Sequence, residues 1–425
     1  MKKSILLLMI VALIIPVFGV VNAQDPVEVT ILGTIKGEIG EPFEEAVAAY
    51  NASQDQYEIV SVPMDGSNPV EKMTTLYASG NATTMMVMGQ EFGLFQENLL
   101  DLSDAEFSQH ALPGTQDLVT VDGAIYGMPV TVEAFGLLYN KAVLDEAVGG
   151  DFDPASIQTR TDLRELFEQV QALDGVEAIH VSPMDWSLGA HFTNILFSPQ
   201  SADREERFDF YEAIQSGDVS LMDNEVFNGW LDTLDLMLEF NANARSPLSP
   251  DYDQGTLALA NGEAGFWFMG NWAYPQLVEI NPDVEFGILP VPISDDAATY
   301  GNTQISVGVP LYIVIDESQS SPEEQAGAID FLNWLISSED GQNYYVNEFN
   351  FIPVYDTFEI APADSMSRQI LSFVEAGETL EWMNMQYPPD GWPSMGASMQ
   401  KYLVDQVDRG ELAEELEDYW ANVSE

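Results

Sequence analysis

The chain has 425 residues, 46% of them hydrophobic and 11% aromatic, with 13 basic residues against 70 acidic ones and no cysteine. That length exceeds the point at which single cores stop growing, so two domains are expected, and the composition is too apolar for a disordered acidic tail. A formal charge of −57 repels phosphate backbones and anionic lipid surfaces alike, which excludes nucleic acid as a partner; it fits a surface adapted to a salty medium or a funnel for a cationic ligand.

The first residues address the compartment. Lys2 and Lys3 precede an apolar run from Ile5 to Val21, broken by Pro16 and Gly19, and Val21-Asn22-Ala23 follows. A basic start, a short apolar core and small residues at the exit are expected of a signal peptide over 1–23, cleaved to leave Gln24 first. No later stretch has the roughly 20 apolar residues of a membrane-spanning helix. Without cysteine there is neither a disulfide nor a lipid-bearing residue. An exported, soluble protein held in a periplasm, and not a lipoprotein, is the expectation.

Val27, Val29 and Ile31 alternate with Glu28 and Thr30 as in a strand, and Pro42 opens a helix through Phe43, Ala46, Val47 and Tyr50. Residues 57–62 read as the next strand. Asn68 caps a helix that has proline at its first turn, Glu71 placed for a capping box, and Gly80 as its stop. Met85-Met86-Val87-Met88 is a buried strand ending at Gly89. Closely spaced strands and helices in this order predict an α/β fold with a largely parallel sheet. Ligands of such sheets sit beyond the carboxyl ends of the strands, which marks the residues after Leu32, including Lys36, and those after Met88.

Further on, helices are expected over 161–173, over 225–240 with Trp230, Leu234, Met237 and Leu238 on the apolar face, and from Tyr252 to Leu259. Residues 307–315 return to β character. Ser321-Pro322-Glu323-Glu324 is a second capping box, opening a helix that buries Ala326, Ile329, Leu332, Leu335 and Ile336. A last acidic helix covers 411–420. There is no internal repeat and no Gly/Ser linker, so the backbone is expected to cross between lobes several times.

Chemical motifs are scarce. The sequence has no glycine-rich phosphate loop, no G-x-S-x-G and no H-E-x-x-H. His110, His180 and His191 are scattered, so no metal site is expected, and Asp251-Tyr-Asp253 lacks the glycine and spaced glutamate of a calcium loop. No cofactor is expected.

Three segments carry a resemblance. They are Tyr126-Gly-Met-Pro-Val-Thr-Val-Glu-Ala-Phe-Gly-Leu-Leu-Tyr-Asn-Lys141, Leu259-Ala-Asn-Gly-Glu-Ala-Gly-Phe-Trp-Phe-Met-Gly-Asn-Trp-Ala-Tyr274, and the run from Phe286-Gly-Ile-Leu-Pro-Val-Pro292 through the Ser321 helix to Ile352-Pro353-Val354. Together they resemble the family-1 extracellular solute-binding proteins of bacterial ABC transporters, the maltose-binding-protein-like group. Gly80-Asn-Ala-Thr-Thr84 departs from that family's usual Gly-x-x-Pro-Asp.

The resemblance implies a two-lobed periplasmic-binding-protein fold, type II-like, with a multi-strand hinge and a ligand cleft between the lobes. It places residues 24–131 and 306–353 in the N-lobe and 132–305 and 354–425 in the C-lobe. Glu133 resembles the family's sugar-binding glutamate, a carboxylate able to accept two hydroxyl hydrogen bonds. Trp272 falls on its stacking tryptophan, whose face packs on the C–H face of a pyranose, with Asn271 beside it and Trp267 in the strand before. Gln90 and Glu91 line up with a polar sugar-contacting pair. Trp186, Trp392 and Trp382 are candidate contacts from the second lobe.

The implied function is capture of a neutral sugar or oligosaccharide by a monomer that delivers it to ABC permease subunits, without catalysis. Two alternatives stay open: a cationic, polyamine-like ligand held by acidic residues and tryptophans, and a glycoside-cleaving enzyme with paired carboxylates around an aromatic cleft.

Overall fold

A computed structural model describes residues 25–64 and 68–423; the expected signal peptide lies outside the described residues. The strands that organise the chain are β1 (Val27–Leu32), β2 (Tyr57–Val62), β3 (Met85–Met88), β4 (Met128–Pro129), β5 (Glu133–Asn140), β6 (Glu177–His180), β7 (Ala264–Gly270), β8 (Phe286–Leu289), β9 (Ile305–Gly308), β10 (Tyr312–Ile315) and β11 (Thr379–Glu381).

They form two main sheets. The first has the order β2-β1-β3-β10-β4, and the second β11-β9-β5-β7-β6. In the first, β2, β1 and β3 are parallel while β10 runs antiparallel to β3 and β4. The second is mixed. Its central β5 is antiparallel to β7, β8 and β9, with β9 beside its first residues and β8 beside its last. A largely parallel sheet is therefore right for the first three strands only.

Each sheet has its own core, as two-layer packing requires. Phe43, Tyr50, Phe331 and Ile336 bury the first, while Phe167, Phe192, Trp230 and Phe266 bury the second. The chain passes between sheets at 130–132, again at 309–311, and a third time before the helix Ser365–Ala376. Val354 and Tyr355 still belong to the first core, so that lobe runs beyond residue 353. The single strand expected over 307–315 is two strands in different sheets. Pro310, which has no N–H to give a ladder, stands in the crossing segment between them.

Local signals place most helices. Asn68 accepts the Val70 N–H, and Gly80 ends that helix at φ 71. Ser321 and Glu324 complete the expected capping box. Leu332, Leu335 and Ile336 of that helix are buried as expected, but in its first half Gly327, Ala328 and Phe331 face the core while Ala326 is exposed. Two π-helical turns, Ser187–Phe192 and Tyr344–Glu348, have no counterpart in the sequence reading.

Candidate functional site

Sheet pairing decides where the site forms. β7 and β9 both run against β5, β6 is parallel to β7, and β11 is parallel to β9. The carboxyl ends of four strands thus meet at the edge where β5 begins with Glu133. The chain leaving that edge supplies Trp186 beyond β6, Trp272 beyond β7 and Trp382 directly after β11.

Glycines make room for the rings. A side chain on Gly270 would collide with the Trp272 ring, and one on Gly308 with Trp382. Glu381, the last residue of β11, is held by Arg204 Nε at 2.8 Å and Arg207 Nη2 at 2.5 Å, which fixes the strand that presents Trp382. Trp392 lies on the helix Gly391–Leu403, and its Nε1–H donates to the Asn384 carbonyl at 3.0 Å. That helix crosses the π-turn at two glycines. A Cβ on Gly189 would meet the Trp392 carbonyl and the Gly396 backbone, and one on Gly396 would meet Asp185.

The π-turn begins after Trp186 and carries His191 into the middle of the rings. The imidazole stacks on Phe135 (centroids 4.5 Å apart, 18°) and lies 5.0 Å from Trp272, 5.4 Å from Trp186, 5.8 Å from Trp382 and 6.4 Å from Trp392. Burial, assisted by the nearby Lys36 charge, pushes its pKa down to about 3, so the ring is neutral at physiological pH. Trp272 also meets Trp186 and Trp382 edge-on, at 6.2 and 6.5 Å. Such edge-to-face contacts stabilise ring pairs beyond their buried area.

The first lobe faces this wall with polar groups. Lys36, past the end of β1, forms an ion pair with Glu133, and its ammonium lies 6.0 Å from the Trp272 ring centroid. The Thr34 hydroxyl donates to the Lys36 carbonyl at 2.9 Å, and buried Ile35 and Ile39 anchor the loop. Gln90, past β3, reaches across so that Nε2–H donates to the Asn384 carbonyl at 2.9 Å, the same oxygen Trp392 uses. Burial raises the Glu91 carboxyl above its ordinary range, offset in part by backbone N–H groups at Gly89 and Glu91. Gly89 permits this path: its Cβ would press on the Pro310 carbonyl at 2.9 Å.

Where the lobes meet, Lys36, Glu133, Asn271 and Trp272 line a cavity of about 20 Å³ together with Thr131, Phe349 and Phe351. That admits a water but no sugar ring; a larger ligand requires the lobes to separate. Asn350 beside it holds φ 53, a left-handed conformation that Asn tolerates. A wider groove of about 880 Å³ opens on the first lobe beside Lys36, along 59–64, but no aromatic residue lines it among the described residues.

Of the residues the sequence pointed to, Glu133, Trp272, Lys36 and Asn271 share one cavity, and Trp186 and Trp392 join Trp272 through His191. Asn271 is partly committed, since its Oδ1 accepts the Ala134 N–H at 2.8 Å and ties β7 to β5. Gln90 meets the other lobe at Asn384. Glu91 is half-buried near Gly89 and is not among the cavity residues. Trp267 is fully buried, donating to the Ser182 hydroxyl at 2.9 Å, and is core. His191, Phe135 and Asn384 had no sequence signal, because their partners come from distant segments.

A family model described as bacterial extracellular solute-binding protein matches residues 45–366. An uncharacterized ABC transporter extracellular-binding protein of Pyrococcus horikoshii is 23% identical over 317 residues, covering 73% of this chain and 66% of that protein, just under two thirds of its length. Among solved structures, RafE in complex with raffinose superposes with a TM-score of 0.77 at 16% identity, covering 93% of this chain and 99% of the other. A Bacillus licheniformis sugar transporter in complex with stachyose gives 0.70 at 16%, covering 93% and 99%. A family 1 extracellular solute-binding protein of Bifidobacterium longum subsp. infantis gives 0.67 at 20%, covering 94% and 100%. These likenesses establish the two-lobed α/β fold.

Proposed function

The chain belongs to the bacterial extracellular solute-binding protein family, and on that premise we propose that it captures a neutral sugar or oligosaccharide between its lobes and delivers it to the permease subunits of an ABC importer. It acts as an exported monomer without catalysis of its own. The observation that carries this reading is the pairing of walls. Four tryptophans gathered at one strand edge face a polar wall whose one cation, Lys36, already neutralises Glu133. Aromatic faces suit the C–H surface of a pyranose, and the amide and carboxylate groups suit its hydroxyls. Raffinose and stachyose in the related complexes agree with this ligand class.

Ligand closure follows from differential affinity. A sugar that touches both walls favours the closed form, since only there does it make both sets of contacts. The internal Lys36–Glu133 pair weighs against a cationic ligand, which would have to displace an ammonium already in place. Glycoside cleavage calls for two carboxylates flanking the bond, and Glu133 is the one carboxylate that lines the cavity among the described residues.

The test is a thermal-shift and calorimetry panel of raffinose, stachyose, chitotriose and xylotriose, with spermidine as the cationic comparator. A sugar that raises the melting temperature and is recovered intact supports the proposal; stabilisation by spermidine alone sinks it.

A further inference from the structure

Two ring nitrogens in the aromatic wall have no hydrogen-bond partner among the described residues. His191 Nδ1 and Trp382 Nε1 are both buried, on side chains whose residues are 7% and 4% exposed. Their rings are neighbours, with centroids 5.8 Å apart and planes 34° apart, and both pack against Phe135 and Trp272. Nearby, Trp392 Nε1–H is spent on the Asn384 carbonyl and Asn271 Oδ1 on the Ala134 N–H, while the Asn384 side chain is likewise buried without a partner among the described residues. Buried polar atoms are ordinarily paired, so orphans on two neighbouring rings call for an explanation.

Neither ring needs those atoms for its own placement. Trp382 is fixed by Gly308 and by the Arg204 and Arg207 grip on Glu381, and His191 by the π-turn and its stack on Phe135. An indole N–H can only donate. A neutral imidazole offers one donor and one acceptor nitrogen. A hydroxyl both donates and accepts, so one hydroxyl oxygen can take the Trp382 N–H and give its own hydrogen to the His191 lone pair.

We propose that His191 Nδ1 and Trp382 Nε1 form a hydroxyl-reading site in the floor of the aromatic wall and determine which hydroxyl-bearing sugar the cleft accepts. The site rests on the sugar-binding reading and gives it a specificity element. The tryptophan faces tolerate many pyranoses; the paired nitrogens do not, because a ring lacking the matching hydroxyl leaves both atoms unsatisfied.

The experiment uses whichever of raffinose, stachyose, chitotriose or xylotriose binds the wild-type protein most tightly, together with its monodeoxy analogues. Trp382→Phe removes the N–H and leaves a smaller aromatic ring; His191→Phe removes the acceptor, and His191→Asn keeps a polar atom near Nδ1. Each Phe variant should lose affinity by on the order of tenfold, and the double variant should lose little more, since both atoms serve one hydroxyl. Both should stop discriminating against one particular deoxy analogue, and His191→Asn should recover part of the affinity. With only three histidines in the chain, the ¹⁵N signal of His191 Nδ1 also reports contact without any substitution, and it should move on saturation with the sugar.

If the wild type binds none of the four sugars, the functional reading fails and this inference falls with it. If the wild type binds, yet the Phe variants bind equally with an unchanged deoxy profile, or the Nδ1 signal stays fixed at saturation, the hydroxyl-reading site is overturned while the sugar-binding reading stands.

Discussion

The two walls of the cleft differ in what they are made of. The second lobe contributes Trp186, Trp272, Trp382 and Trp392, set on strand ends and on one helix and locked by glycine contacts. The first contributes Lys36 and Gln90, set on loops beyond β1 and β3. Charge divides the same way. Lys36 and Lys72 are the only Lys or Arg residues of the first lobe, over 25–131 and 309–360. The second lobe holds networks in which Arg160 bridges Asp232 and Asp295 while Arg409 joins Asp232 and Asp235. The contrast is one of support: the apolar surface is held by ring packing and glycine contacts, the polar one by loop residues and the Lys36–Glu133 ion pair.

The largest expected effect strikes the rigid wall. Gly189→Ala places a methyl on the Trp392 carbonyl and the Gly396 backbone, neither of which can yield cheaply. Overpacking of this kind should destabilise the protein by about 3 kcal/mol, read as a lower denaturant midpoint, and should part Trp392 from His191. A variant as stable as the wild type would show the helix crossing to be loose.

Trp272→Ala tests affinity instead. Loss of one stacked ring should weaken sugar binding by roughly 1–3 kcal/mol while the free protein melts near the wild-type temperature. Unchanged affinity in calorimetry would remove Trp272 from the site. Glu133→Gln comes next. A charge-assisted hydrogen bond becomes a neutral one about half as strong, so affinity falls by roughly tenfold or less with little change in melting; an unfolded apo variant would make Glu133 structural.

These predictions rest unevenly on what the sequence discloses. The first strands and the capped helices are legible because alternation, caps and glycine stops act within a few residues: β2 spans the very residues expected, and Ser321 caps as expected. Trp272 and Glu133 stand out in the sequence only through motif resemblance, and both line one cavity. The split of 307–315 into β9 and β10 was illegible because periodicity does not say which sheet a strand joins. His191 escaped notice for a related reason. Its setting comes from Phe135, Trp272, Trp382 and Trp392, four separate segments joined only by sheet order.

The smallest effect per residue, and the most distributed, concerns salt. Carboxylates with few cationic neighbours repel one another, and screening shortens that repulsion from about 30 Å at 0.01 M to about 3 Å at 1 M ionic strength. Stability should rise with sodium chloride, and hydrogen-exchange protection should rise most in the helices Gly40–Ser53 and Pro322–Ser337 of the first lobe. An equal gain in the second lobe would mean that the arginine networks there contribute nothing to the difference, in line with the small worth of exposed ion pairs.

A neutral ligand held between an aromatic wall and an internally neutralised polar one should be indifferent to ionic strength. Calorimetry of the best sugar from the panel, at two sodium chloride concentrations where the protein is fully folded, checks this proposal. Sugar affinity should be the same at both concentrations. Affinity that falls as salt rises, or binding of spermidine in place of any sugar, would contradict it.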